Sequence, residues 1–404
     1  MIAFADELYD AQLLRAIGHT PYGGAEYGEC LATAVTITNG DRESWYRGWT
    51  ALADRTFAAA SASAAAGRRK SAERAYLRAS NYYRTAYVFH LQSPLPEVAR
   101  AAYRRQREAF ALASEQMERP LERLAIAFEG ATMPGYFCAA ESADDAPRPL
   151  VIAVGGYDSP AEESYFFNAV AARSRGYHCV FFDGPGQGAQ LIEDGVPFRP
   201  DWHRALSAVI DVVATRPEVD ARRIAIIGES WGGYLVPGAA ARDRRIAACV
   251  LDPAQLGLFR GILARLPLPQ AWKADLPHGP RWLVRLLRVV IARLAKRPTA
   301  GWAIRRGVLA HGVASPWDYV VDAARYEQAD LVGDIRCPTL VCDAADDDLA
   351  AQAREFYGRL ACDKRYLRFT RAEGASEHCS MGNRGLYHER VFDWLDEKLA
   401  NLQS

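Results

Sequence analysis

The chain has 404 residues, and its 49 Lys+Arg balance 49 Asp+Glu, so the formal net charge is zero. Half of it is hydrophobic and 24% is charged, an ordinary globular composition with no global field to draw in nucleic acid or anionic lipid. At roughly 150 residues per domain, two or three units are expected.

The opening segment, MIAFADELYD, has acidic residues and no basic leader before an apolar run, so it does not read as a secretory signal. Residues 1–117 are rich in Ala and Arg and predict a helical N-terminal cap domain. The longest helices are expected over 44–66 and 70–90, parted by Gly67. Pro94 and Pro96 interrupt the pattern, which resumes over 97–117. Tyr76, Tyr83, Tyr87 and His90 fall along one helical stripe, which is either packed core or a pocket wall.

The texture changes near Pro120, so 118–404 is read as a second, catalytic domain. LERLAIAFEGATMPGYFCA suggests a pair of strands. Short apolar strands then alternate with amphipathic helices: LVIAV (150–154), CVFF (179–182), IAII (224–227), ACVL (248–251) and TLVC (339–342). Near-continuous apolar strands separated by helices predict an α/β class with a mostly parallel sheet covered on both faces. The alternation stops over about 254–333, a helical insertion expected to form a lid. Its cationic stretch RWLVRLLRVVIARLAKR (281–297) is read as a lid helix with its arginines in water rather than a membrane-surface helix. No run of about 18 apolar residues occurs, so no membrane span is expected. The eight cysteines are scattered without a C-x-x-C pair, which suits buried, reduced thiols in a cytoplasmic protein.

The strongest chemical signal is IAIIGESWGGY. An apolar strand runs into Gly228-Glu229-Ser230-Trp231-Gly232, followed by a helix-compatible stretch, which is G-x-S-x-G in its strand–turn–helix setting. So tight a turn strains the serine backbone and needs small neighbours, and it thrusts Oγ out at the end of the sheet. A serine hydroxyl is nearly inert at neutral pH and needs a general base within reach. Of the later histidines, His311 sits in the helical insertion. His388 lies in the amphipathic helix LYHERVFDWLDEKL, where a solvated face is expected. His378, in the loop AEGASEHCSMGN after the strand YLRFT, is the choice. The acid that orients it belongs after TLVC, where Asp343, Asp346, Asp347 and Asp348 compete, with Asp252 after ACVL as an outsider. Two oxyanion donors are expected: the N–H of Trp231, and that of Tyr157 in the turn Gly155-Gly156-Tyr157. DGPGQG (183–188) follows a strand but lacks G-x-G-x-x-G spacing. No P-loop, H-E-x-x-H or cysteine cluster appears, so neither a nucleotide cofactor nor a metal is implied.

These segments, together with GGYDSPAEESYFFNAVAARSRGYHCVFFDGPGQG, SWYRGWTALADRTFAAA and YLRASNYYRTAYVF, resemble one group of α/β-hydrolases. It is the group of 2,6-dihydroxypseudooxynicotine hydrolase and the fungal pigment polyketide-shortening hydrolases, and the likeness covers nearly the whole chain. The resemblance implies a cofactor-free enzyme with a Ser-Asp-His triad that cleaves a carbon–carbon bond next to a ketone. It also implies a helical cap over the site and a homodimer. Set against the group's P-x-L-x-x-H-G-x-x-D pattern, PTLVCDAADD places the acid on Asp347, with Asp346 second. Asp343 and Ala344 stand where His-Gly is usual. The expected substrate is a small ketone, of 1,3-diketone or acyl-phenol type, or an ester. Acyl transfer or cyclisation through the same triad is the alternative enzyme, and a non-catalytic helical binding module on a degenerate hydrolase body is the alternative of another class.

Overall fold

Along the strand Arg148–Val154, Leu150, Ile152 and Val154 enter one apolar core while Val151 and Ala153 enter another, the period-two signature of a strand buried on both faces. The computed structural model describes residues 2–141, 146–265, 273, 276–400 and 402. Its eight strands are β1 (Glu122–Phe128), β2 (Ala131–Cys138), β3 (Arg148–Val154), β4 (His178–Phe182), β5 (Val219–Glu229), β6 (Ile246–Asp252), β7 (Thr339–Ala344) and β8 (Lys364–Phe369). They form one sheet in the order β1-β2-β4-β3-β5-β6-β7-β8. β1, β2 and β4 are antiparallel neighbours, and all pairs from β4 through β8 are parallel. This is an α/β-hydrolase fold, and each apolar run read as a strand is one.

The first core holds the helix His203–Val213 and the short helices after β5. The second holds the helix Arg384–Ala400 and the segment Ala161–Ser174, whose middle, Tyr165–Ala169, is a π-helical turn. Among the described residues, five α-helices precede the sheet: α1 (Glu7–Gly18), α2 (Tyr27–Ala34), α3 (Arg42–Ala65), α4 (Arg69–Tyr87) and α5 (Glu97–Gln116). Gly67, at φ +70°, turns the chain between α3 and α4. Trp45 and Trp49 pack against Tyr9, Tyr82 and Phe89, and the Trp45 indole donates to the Thr85 carbonyl. Tyr76 and Phe110 join the second core, so α4 and α5 are seated on the sheet side as well as on each other. The stripe Tyr76, Tyr83, Tyr87 and His90 is buried, and its hydroxyls bond to Ser61, Asp54 and Gln106. It is packed core.

Between β6 and β7 the described residues include the helices Leu258–Arg265, Arg281–Leu294, Pro298–Ala310 and Pro316–Ala323. The cationic helix buries Leu283, Leu287 and Ile291 beside Trp317 and Val320. Trp282, Leu286 and Val289 are exposed along with its arginines. Among the described residues, no helix is long and apolar enough to cross a membrane.

The sheet order reverses between β3 and β5, because β4 lies outside β3 on one side and β6 beyond β5 on the other. In open α/β sheets the crevice at the carboxyl ends of strands around such a point is where ligands bind. The loops leaving β3, β5, β7 and β8 carry Tyr157, Ser230, Asp347 and His378.

Candidate active site

Ser230 sits between β5 and the helix Gly232–Leu235 with φ +55°, a left-handed backbone that an L-residue holds only when its surroundings impose it. The imposition is visible. A methyl group on Gly228 would stand 2.4 Å from the Gly232 carbonyl oxygen, and one on Gly232 would stand 2.4 Å from that of Val154. Ser230 N–H donates to the Asp252 carbonyl at 2.6 Å, and the Gln255 amide donates to the Ser230 carbonyl at 2.7 Å.

His378 Nε2 lies 2.8 Å from Ser230 Oγ, and its Nδ1 lies 2.7 Å from Asp347 Oδ2. The three side chains therefore form one unbroken hydrogen-bonded chain. The Asp347 side chain is 4% exposed and that of His378 40%, so the carboxylate is shielded while the imidazole reaches an opening. Burial disfavours the imidazolium, but the Asp347 carboxylate and the neighbouring Cys379 sulfur together push His378 well above its ordinary value. The other oxygen of Asp347 accepts from Leu349 N–H at 2.9 Å, fixing the carboxylate plane.

The competing acids have other occupations. Asp346 pairs with Arg371 at 2.6 Å on the surface. Asp343 accepts from the Tyr366 hydroxyl at 2.8 Å, and Asp348 is exposed. Asp252 is buried behind the serine, where burial pushes it up to about 7 although Arg384 stands 3.8 Å away. His311 meets Asp322 in the insertion. His388 is corrected from a solvated face to a buried residue. Tyr22 donates to its Nδ1, and its Nε2 is 2.5 Å from the Phe167 carbonyl, because the last helix packs that side against the π-helical turn.

On the other side of Ser230, a methyl group on Gly156 would stand 2.6 Å from Ser230 Cβ and 2.9 Å from Oγ, so the turn after β3 presses on the serine. The N–H groups of Tyr157 and Trp231 have no acceptor among the described residues. Asp158, the next residue, ties three parts of the molecule together. Arg15 of α1 (3.0 Å), Arg84 of α4 (3.4 Å) and Arg306 of the insertion (3.3 Å) all converge on it, and Arg306 also donates to the Tyr157 carbonyl. Burial alone would raise Asp158, but these guanidinium groups hold it far below its ordinary value. No sequence pattern marks this cluster, since its members lie in α1, α4, the β3 loop and the insertion.

A second buried ion pair stands behind the site. Arg384 bonds Glu229 at 2.5 Å, and donates to the carbonyls of Cys379 (2.8 Å) and Phe167 (2.7 Å). It thus links the residue before Ser230 with the residue after His378. The loop DGPGQG is structural: Asp183 accepts from Ala161 N–H, Ala189 N–H and the Tyr103 hydroxyl. Among the described residues, no group of three or more His, Cys, Asp or Glu is placed to hold a metal ion.

A parallel sheet with a serine on a strained strand–helix turn defines the α/β-hydrolase class, and the comparisons agree. The model described as "Alpha/beta hydrolase family" matches residues 150–389, and one described as "Esterase FrsA-like" matches residues 26–257. The chain belongs to the α/β-hydrolase family. It is 33% identical to hydrolase LUC6 of Fusarium sp, across 98% of this chain and 97% of that protein. It is also 33% identical to 20-hydroxy-prefusarin hydrolase FUS2 of Gibberella moniliformis, across 98% of each. Among solved structures it shares the fold of a 2,6-dihydroxy-pseudo-oxynicotine hydrolase (TM-score 0.72, 21% identity, 95% of each chain). It shares that of AbyA5 as well (TM-score 0.60, 17% identity, 93% of this chain and 95% of that one). The resemblance read from the sequence is borne out.

Proposed function

We propose that the protein is a serine hydrolase in which Ser230, His378 and Asp347 are the catalytic triad and the N–H groups of Trp231 and Tyr157 form the oxyanion hole. The observation that carries this reading is the continuous Ser230–His378–Asp347 hydrogen-bonded chain. His378 removes the Ser230 proton as Oγ adds to a substrate carbonyl, and the oxyanion develops beside the two unengaged N–H groups. Collapse breaks the bond from the acyl carbon to the leaving group, whose electron pair takes the proton from His378. Water, deprotonated by the same imidazole, then releases the acid and restores Ser230.

For the substrate, the resemblance to carbon–carbon hydrolases favours a ketone. When the leaving atom is carbon its pair must be delocalised, which a 1,3-diketone or an acyl-phenol allows. An ester needs no such help and is cleaved by the same groups. The names of the relatives, a 20-hydroxy-prefusarin hydrolase and a 2,6-dihydroxy-pseudo-oxynicotine hydrolase, support an oxygenated, metabolite-sized substrate. Eight free cysteines, seven of them buried, suit a reducing compartment such as the cytoplasm.

The test is labelling of the folded protein with a fluorophosphonate, followed by product analysis with an acyl-phenol and a matched ester. An adduct on Ser230 that is lost in Ser230→Ala is expected. A folded protein that takes no label is a binding module on a hydrolase body.

A further inference from the structure

The insertion holds a second imidazole–carboxylate pair that the triad does not use. His311 caps the helix Pro298–Ala310, and its Nδ1 lies 2.7 Å from Asp322 Oδ2 in the helix Pro316–Ala323. Arg325 holds the other Asp322 oxygen at 2.7 Å. A carboxylate at Nδ1 fixes the tautomer with the proton there and leaves a lone pair on Nε2. Burial keeps His311 below its ordinary value despite Asp322, so the ring is neutral at neutral pH.

That Nε2 is buried and has no hydrogen-bond partner among the described residues, and His311 is only 5% exposed. Buried polar atoms in native proteins are almost always paired, so an orphan asks for a partner from a ligand or water. The surroundings are aromatic. The Tyr157 ring stacks 5.8 Å from the imidazole, with Tyr326 at 4.8 Å, Tyr319 at 5.1 Å and Phe198 at 6.1 Å. Tyr157 and Tyr326 both abut the Trp231 indole, at 6.0 and 6.1 Å. Trp231 Nε1, on a residue 3% exposed, is a second orphan, and it is a donor where His311 Nε2 is an acceptor. Tyr157 and Trp231 are also the two residues whose backbones flank Ser230. The aromatic cluster therefore begins at the oxyanion pocket and ends at His311.

We infer that His311, oriented by Asp322, is a substrate-binding residue whose Nε2 accepts a hydrogen bond from an enolic or phenolic hydroxyl, while Trp231 Nε1 donates to a carbonyl oxygen of the same molecule. One acceptor and one donor among flat aromatic rings match a planar, conjugated hydroxy-ketone, whereas a simple alkyl ester brings no hydroxyl to donate to His311 Nε2. The inference rests on the serine-hydrolase reading and narrows its substrate class.

The experiment measures how well a 2,4-dihydroxyphenyl ketone, and its dimethyl ether, protect Ser230 from a small fluorophosphonate. Wild type is expected to bind the free hydroxyls about tenfold more tightly than the ether, the fold-change that one ordinary net hydrogen bond supplies. His311→Phe keeps the aromatic packing and brings the ratio to about one. Asp322→Asn removes the charge that fixes the tautomer, alters less packing, and falls between. A wild type that does not discriminate, or discrimination unchanged in either folded variant, overturns the inference and leaves the dyad a structural contact. Absence of any label on wild-type Ser230 overturns the serine-hydrolase reading instead, so the two failures are distinguishable.

Discussion

Asparagine at position 347 tests the acid of the triad with little disturbance to the fold. The side chain keeps its shape and can still accept from Leu349 N–H, the 2.9 Å bond that caps the short helix after β7. What disappears is the negative charge 2.7 Å from His378 Nδ1. That charge fixes the tautomer with Nε2 facing Ser230 and stabilises the imidazolium that forms when the serine gives up its proton. An amide can instead donate to Nδ1 and turn a proton toward Oγ. Loss of the acid in such triads lowers kcat by about 10⁴, which at about 1.36 kcal/mol per tenfold is about 5.5 kcal/mol of barrier. Asp346→Asn is the control, because Asp346 meets Arg371 and Ser376 at the surface rather than His378. Its kcat should stay within about twofold of wild type. The assay is steady-state hydrolysis of an activated aryl ester, with thermal melting to show that both variants are folded. A large loss in Asp346→Asn, or an Asp347→Asn enzyme within about tenfold of wild type, would refute the assignment.

With His378 as the proposed base, held well above its ordinary value near 6.5 by Asp347 and the Cys379 sulfur, kcat/KM should climb with pH and reach its plateau only in the alkaline range. A profile already flat below neutrality would contradict this, and the residual activity of Asp347→Asn should plateau at lower pH. Gly156→Ala puts a methyl group 2.6 Å from Ser230 Cβ and 2.9 Å from Oγ and displaces the Tyr157 turn, so kcat should fall by about 10²–10³, and the overpacking should cost about 1–3 kcal/mol of stability. Arg384→Met strips the cation from buried Glu229 and should cost about 3–5 kcal/mol in denaturant unfolding. An unchanged midpoint would show that the pair is not needed.

The inner strands β3 to β7 were legible because each holds an apolar run stopped by glycine or aspartate, and a doubly buried strand needs no other signal. Ser230 was legible because its turn demands Gly228 and Gly232, and His378 because a late loop after the last strand is where the chain can return to it. The acid was less so. Three consecutive carboxylates, Asp346 to Asp348, share composition and neighbourhood, and only the direction of each side chain separates the one that meets His378 from the one that meets Arg371. Directions of that kind are set by tertiary packing. The same limit hid the burial of His388, whose helix looks amphipathic but is covered on that side by the turn around Phe167. Nothing local announces the arginines on Asp158 or Asp322 beneath His311, since each pairing joins separate elements.

Strain at the site is carried in three non-glycine residues: Ser230 itself (φ +55°), and Cys379 (+53°) and Ser380 (+51°), which directly follow His378. Each such conformation costs on the order of 1–3 kcal/mol and persists only where surrounding bonds over-determine it. Here the determinants are shared. The Asp252 carbonyl accepts from Ser230 N–H at 2.6 Å and from the Cys379 thiol at 3.5 Å, so one oxygen sets both loops. Arg384 does the same from beneath, bonding Glu229 on the serine side and the Cys379 carbonyl on the histidine side. The 2.8 Å separation of Ser230 Oγ and His378 Nε2 is thus fixed from β6 and the last helix rather than by the two residues alone. A loss of activity in Arg384→Met larger than its unfolded fraction explains would follow directly, because relaxing either loop lets the strained residues return to ordinary backbone angles and carries the imidazole away from the hydroxyl.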